Sequence, residues 1–476
     1  MNAPIARLFV VFALLFGVLV VFTSRWTVLG AQELRDNAFN QRTILAERKI
    51  RRGVIRADDG TLLARSIRNA DETYSRTYPV GELFPHAVGY SFTRFGRAGL
   101  ERSYNRDLTG DRGELGSIID ELAGTEREGD DLHTTLDPGA QATALRGLAG
   151  RKGSVVAIDP RTGAIKALAS VPGFNPNALP EGRLFTRLNR DDANAPLLNR
   201  STQSGYPPGS TFKVVTAIAA MDSGRYEPDS IVDGSNGKEI SGVPLNNFGG
   251  ADFGPITLTQ ALTQSVNTVW AEVGEKLGKE TMNRYMERLG FNEQVAVDLP
   301  PDERRASGEF VDGKLVPATD GAVDVGRMAI GQDKLNVTPL QMAMVASAVA
   351  NGGRLMRPHL ADRVVDPDGR TVRRIRPHEL SQVMSASSAQ KVSEMMQNVV
   401  REGSGTAAAL AGIDVGGKTG TAEVDRPCGP NQVWFIAFAP ARDPRIAVAV
   451  TIECSTGTGG VVAAPIAKAV MQEALR

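Results

Sequence analysis

Residues 207–221 read PPGSTFKVVTAIAAM, and this stretch decides how the rest of the 476-residue chain is read. Pro207, Pro208 and Gly209 break the preceding segment, and the apolar run from Val214 onward reads as a helix. Ser210 and Lys213 stand three residues apart at that helix start, so they share one face. Free backbone N–H groups and the dipole favour developing negative charge there. A serine hydroxyl is a poor nucleophile until a nearby base takes its proton. Lys213 can be that base only when neutral. Partial burial and a second ammonium nearby would both lower its pKa.

Two strings downstream complete the set in order: SVN at Ser265–Asn267 and KTGT at Lys418–Thr421. Ser265 is a candidate proton relay between Lys213 and a departing amine, the role that catalytic triads give to histidine. Asn267 offers a donor and an acceptor to a peptide amide. KTGT reads as strand, with Gly420 permitting close approach of substrate backbone and Lys418 supplying the second ammonium. Short strings also arise by chance: SAQK at Ser388–Lys391 and SYN at Ser103–Asn105. The first opens the amphipathic run KVSEMMQNVV, so Ser387 or Ser388 reads as a helix cap. Asn105 reads as structural, and Trp270 and Trp434 as core. Taken singly, Ser210 could be a cap, Lys213 a surface lysine and SVN a solvated turn. The ordered trio, each member with its flanks, argues against that.

Composition bounds the class. The length suggests two or three domains, and 42% apolar with 23% charged residues is ordinary for a folded protein. Lys plus Arg equals Asp plus Glu at 54 each, so nothing steers the chain to nucleic acid. Four histidines and two cysteines, with no C-x-x-C or H-E-x-x-H, imply neither a metal site nor a cofactor. Cys428 and Cys454 could form one disulfide if this part lies outside the cytoplasm.

From Leu8 to Phe22 the chain carries no polar residue, and Arg7 and Arg25 bracket a stretch of roughly 25 Å as a helix. With Trp26 as an interfacial anchor, an uncleaved membrane helix is preferred over a signal peptide cleaved near residues 28–31. Arg48, Lys49, Arg51 and Arg52 follow the span more densely than Arg7 precedes it, against the positive-inside bias. The bulk is placed outside on the strength of the chemistry.

Three hairpins are legible. RRGVIRADDGTLLARS (Arg51–Ser66) turns at Asp58-Asp59-Gly60; SVVAID and AIKALAS (Ser154–Ser170) turn at PRTG; VWFIAFAP and RIAVAVTIEC are joined by ARDP. GRAGLERSYNRDLTG (Gly96–Gly110) reads as a short helix, and PIAKAVMQEAL as a closing one. The expected division is a cytoplasmic tail and transmembrane anchor at 1–31, a small elongated pedestal at 32–150, and a catalytic module at 151–476. Strands at both ends of that module predict an α/β (α+β) fold whose termini meet in one sheet.

Those strings, with TTLDPGAQ, AIDPRTGAIKALAS, NRSTQSGYPPGSTFK, AIGQDKLNVTPLQ and GGKTGTAE, resemble the class B penicillin-binding proteins over nearly the whole chain. The compact length is similar to the A-type members of actinobacteria. The resemblance implies a transpeptidase fold with a central antiparallel sheet flanked by helices, and D,D-transpeptidation of peptidoglycan stem peptides with acylation by β-lactams. It implies that Lys418, Thr419 and Thr421 hold the carboxylate of a terminal D-alanine, and that the N–H groups of Ser210 and Thr421 form the oxyanion hole. Two positions depart from the pattern: Asp333 stands where the family often has glycine, and the middle motif is SVN rather than SDN.

Two other functions compete. A β-lactam hydrolase or sensor on the same fold would need a glutamate for deacylation, and no E-x-x-L-N string lies between the second and third motifs. A non-catalytic cell-wall scaffold would not need Ser210 or Lys213. A glycosyltransferase domain has no place before residue 150. The resemblance therefore implies a separate SEDS-type membrane glycosyltransferase, and other cell-wall synthesis proteins, as partners of the anchor and pedestal.

Overall fold

The computed structural model describes residues 2–25, 47–111, 128–181, 183–424 and 429–476. In chain order the strands used below are β1 (Ile55–Arg56), β2 (Leu62–Arg68), β3 (Tyr74–Thr77), β4 (Asp131–Thr134), β5 (Gly153–Ile158), β6 (Ile165–Val171), β7 (Ala361–Val365), β8 (Thr371–Arg374), β9 (Gly416–Glu423), β10 (Asn431–Ala439) and β11 (Ile446–Ser455). The helices are α1 (Asn2–Ser24), α2 (Pro138–Leu148), α3 (Lys213–Asp222), α4 (Asn267–Leu277), α5 (Pro339–Ala350), α6 (Ala386–Arg401) and α7 (Ala464–Ala474).

The two apolar hairpins join in one five-stranded sheet of order β9-β10-β11-β5-β6, antiparallel throughout. Val448 pairs with Ala157, so the ends of the catalytic module do meet. Successive side chains of a strand face opposite ways. On β10, Val433, Phe435 and Ala437 join the core built with α2 and α7, while Trp434, Ile436 and Phe438 join the core built with α3 and α5. This explains why these strands read as continuous apolar runs. With both faces covered, the sheet's open hydrogen-bonding sides are its two edge strands, β6 and β9, and β9 is the KTGT strand.

A second sheet has the order β8-β7-β4-β1-β2-β3. Four of its strands precede residue 150, but β7 and β8 come from residues 361–374, with Leu132 of β4 facing Val364 of β7. The sequence reading did not foresee this. β8 is exposed and basic, so it carries no alternating apolar signal. The physical reason for the insertion is the edge of β4, which β7 pairs and β8 then shields with charge. Below the sheet Glu101 is fully buried between Arg52 and Arg76, each Nε–H donating to a carboxylate oxygen at 2.6 Å. Those two guanidinium groups overcome the cost of burial and hold its pKa below the usual value. Asn105 accepts from Arg52 Nη1 at 2.6 Å, so the SYN string is structural.

SAQK is likewise no active site, but its cap is not Ser387 or Ser388. Ser385 caps α6, accepting from the Ser388 N–H at 3.1 Å, two or three residues earlier than the sequence suggested. Trp270 and Trp434 are fully buried. Arg7–Ser24 of α1 is long and apolar enough to cross a membrane. Trp26, the candidate cleavage positions and Cys428 lie outside the described residues. Cys454 carries a disulfide bond.

Candidate active site

Ser210 sits in a single 3-10 turn, Gly209–Phe212, that runs directly into α3. The turn is held from three sides. Gly331 O accepts the Gly209 N–H at 3.0 Å, the Trp434 indole N–H donates to Pro207 O at 2.9 Å, and Thr211 Oγ1 donates to Pro208 O at 2.8 Å. A Cβ on Gly420 would lie 2.7 Å from Pro208 O. Gly420 therefore lets the Ser210 turn, rather than substrate alone, approach the β9 edge. The Ser210 hydroxyl has no hydrogen-bond partner among the described residues, and the residue is half-buried.

Lys213 begins α3, Ser265 and Asn267 lead into α4, and Lys418 and Thr419 lie on β9. The structure brings all of them together. Lys213 is fully buried and its Nζ donates to Ser265 O at 2.7 Å and Asn267 Oδ1 at 2.6 Å, with Ser265 Oγ at 3.3 Å. Lys418, also fully buried, donates to Ser265 Oγ at 2.9 Å and Thr419 O at 3.1 Å. One serine hydroxyl thus lies between two amines. Burial lowers the Lys213 pKa well below that of a free lysine, and the Lys418 charge lowers it further. Burial alone brings Lys418 to about 7. Ser265 is held at φ 59°, a left-handed conformation costly for a residue with a Cβ and concentrated at functional sites.

Asp333 has φ 67°, which explains both the glycine common there and the aspartate here, since aspartate tolerates that region. Its Oδ2 accepts the Asp324 N–H at 3.2 Å.

Close to this loop Glu309 is fully buried with neither carboxylate oxygen hydrogen-bonded. Burial first, then the Asp333 charge, push its pKa from 4.5 up to about 8; the Lys334 ammonium and N–H oppose the rise without a hydrogen bond of good geometry. Below pH 4.5 the folded and unfolded chains both hold this proton. Between there and about 8 only the unfolded chain ionises, so stability falls as pH rises and levels off above. Glu309→Gln is expected to flatten that slope and to gain on the order of 4 kcal/mol at pH 8. Denaturant unfolding of both proteins from pH 5 to 8 measures it, and parallel curves would contradict it.

Sequence reasoning missed three supports. Asn246 O accepts the Asn267 Nδ2–H at 3.1 Å, the Gly459 N–H donates to Thr421 Oγ1 at 3.2 Å, and Ser404 Oγ lies 2.6 Å from Thr419 Oγ1. None belongs to a motif or a periodic segment, so no local signal marks them. Among the described residues no group of acidic, histidine or cysteine side chains could hold a metal.

A serine on a short turn, two buried lysines and a sheet-edge KTGT on this two-sheet frame define the penicillin-binding transpeptidases. The penicillin binding protein transpeptidase domain family matches residues 153–472, and the chain belongs to it. The penicillin binding protein A dimerisation domain family matches residues 52–132. The chain is 33% identical to the peptidoglycan D,D-transpeptidase PbpA of Mycolicibacterium smegmatis, over 100% of this chain and 99% of that one. The Mycobacterium tuberculosis PbpA shows the same 33% identity, 100% coverage of this chain and 99% of its own. Among solved structures, the ceftriaxone acyl-enzyme complex of penicillin-binding protein A from M. tuberculosis superposes with a TM-score of 0.82 at 32% identity, covering 91% of this chain and all of that one. The D,D-transpeptidase domain of a peptidoglycan glycosyltransferase from Eggerthella lenta gives 0.79 at 36%, covering 90% and 98%.

Proposed function

We propose that Ser210, Lys213 and Ser265 are the catalytic residues of this chain, a serine-type peptidoglycan D,D-transpeptidase inhibited by β-lactams. Asn267, Lys418, Thr419, Gly420 and Thr421 hold the substrate. The observation that carries the assignment is the environment of Lys213. A neutral amine has two N–H donors and one lone pair. Ser265 O and Asn267 Oδ1 take the two donors, which leaves the lone pair for a hydroxyl proton.

Ser210 Oγ gives its proton to Lys213 Nζ and attacks the penultimate D-alanine carbonyl carbon. The C–N bond to the terminal D-alanine breaks as Ser265 passes its proton to the leaving nitrogen and regains one from Lys213. An amine from a second stem peptide then attacks the ester carbonyl carbon, gives its proton to the Ser265–Lys213 pair, and the C–O bond breaks as Lys213 returns a proton to Ser210 Oγ. A β-lactam follows the first half, but its leaving nitrogen stays tethered and the acyl-enzyme persists.

Residues 1–31 serve as tail and anchor, 32–150 as pedestal and 151–476 as the transpeptidase domain. Strands β7 and β8 cross that division by pairing, and α2 crosses it by packing against α7. The apolar α1 supports a single-pass location in the plasma membrane with the catalytic module outside. A SEDS-type glycosyltransferase meeting α1 and the pedestal is the partner that family analogy supports.

Intact mass of the full-length protein in detergent, followed over time with a penicillin, tests the function. A persistent one-to-one adduct is expected. Rapid turnover with no adduct indicates a hydrolase, and a folded protein with neither adduct nor turnover indicates a scaffold.

A further inference from the structure

Resting on that catalytic reading, we infer that Ser404 is a positioning residue that aims the Thr419 hydroxyl at the substrate carboxylate. Thr419 and Thr421 stand two apart on β9 and so share a face. Thr421 Oγ1 already accepts the Gly459 N–H at 3.2 Å, which leaves its own O–H free to donate into the cleft. Thr419 Oγ1 lies 2.6 Å from Ser404 Oγ and 3.4 Å from Lys418 Nζ. Lys418 sends its shorter bonds elsewhere, to Ser265 Oγ at 2.9 Å and Thr419 O at 3.1 Å. Either hydroxyl of the Ser404–Thr419 pair can donate to the other. When a carboxylate arrives, the arrangement that satisfies every group has Ser404 donating to Thr419 and Thr419 donating to the anion.

Ser404 suits this relay because it is itself exposed, so its oxygen accepts from solvent while its O–H points inward. A chain from water to Ser404 to Thr419 to carboxylate polarises each link in one direction. The two threonines then read one anion with matched donors, each oriented by a separate element. The backbone around Ser404 is also fixed: a Cβ on Gly460 would lie 2.3 Å from Ser404 O, so only glycine lets that loop close over it.

The test compares benzylpenicillin with its methyl ester, which keeps the reactive ring and loses the anion, on full-length wild type, Ser404→Ala and Ser404→Thr. For Ser404→Ala the dissociation constant of the pre-covalent benzylpenicillin complex is expected to rise about five- to tenfold, with the limiting acylation rate held within about twofold. The ester's acylation is expected to be unchanged, and Ser404→Thr, which keeps a hydroxyl, to restore the wild-type constant. Equal losses for acid and ester, a loss confined to the limiting rate, or no loss at all would each overturn the inference. If wild type acylates and Ser404→Ala is indifferent, only this inference fails. If wild type is never acylated, the catalytic assignment fails with it.

Discussion

Ser210→Ala loses the penicillin adduct entirely and keeps the fold, and where turnover can be measured it falls by on the order of 10⁶. The structural half of that expectation follows from what the hydroxyl does not do. It has no hydrogen-bond partner among the described residues, so its removal leaves no buried group unsatisfied. The turn's own stability comes from its neighbours: the Gly209 N–H to Gly331 O, Thr211 Oγ1 to Pro208 O, and the Trp434 indole to Pro207 O. Intact mass and a thermal melt of the variant separate the two halves. An adduct that survives in Ser210→Ala, mapped to another serine such as Ser388, would reject the assignment.

Lys213→Met keeps the aliphatic bulk and removes the base, and acylation is expected to drop by about 10³–10⁴. Its pH dependence is the sharper reading. Lys213 works when neutral, so wild-type acylation efficiency falls as pH drops through its depressed pKa. In the proposed assignment Lys418 helps to hold the substrate carboxylate and works when charged, so efficiency also falls as pH rises above about 7. The profile is therefore bell-shaped, with limbs that belong to a coupled pair. Lys213→Met removes the group that must be neutral, so its residual activity keeps the alkaline limb and loses the acid one. A variant with both limbs intact would show that another group is the base. The substitution leaves Ser265 O and Asn267 Oδ1 without the Nζ donor, so some loss of stability accompanies it.

What the sequence disclosed was set by how local each signal is. STFK, SVN and KTGT each fit within four residues, and the apolar hairpins announce the central sheet because both of its faces are covered. Their convergence within 3.5 Å across 153 positions, from Ser265 to Lys418, was legible only through the family pattern. Ser404 was not legible at all. Its partner lies 15 positions later, and a loop reading REGSGT carries neither periodicity nor a motif. The cap of α6 was misplaced by two or three residues because three serines, Ser385, Ser387 and Ser388, compete and only backbone dihedrals decide among them. Nothing local in the sequence marks Glu309, since burial without a partner is a property of the packed state.

The hairpin β7–β8 sets a clock on the chain's own biosynthesis. Val364 is made 232 positions after the Leu132 it must pair with. At roughly 5–20 residues per second that gap lasts roughly 10–50 s, during which β4 has no neighbour on its β7 side. An unpaired strand edge recruits other strands. The first third of the molecule therefore waits, sticky on one side, for a segment still inside the ribosome. A fragment ended anywhere before residue 361 never leaves that condition and will tend to associate through β4, whereas one that continues past residue 374 carries its own closure.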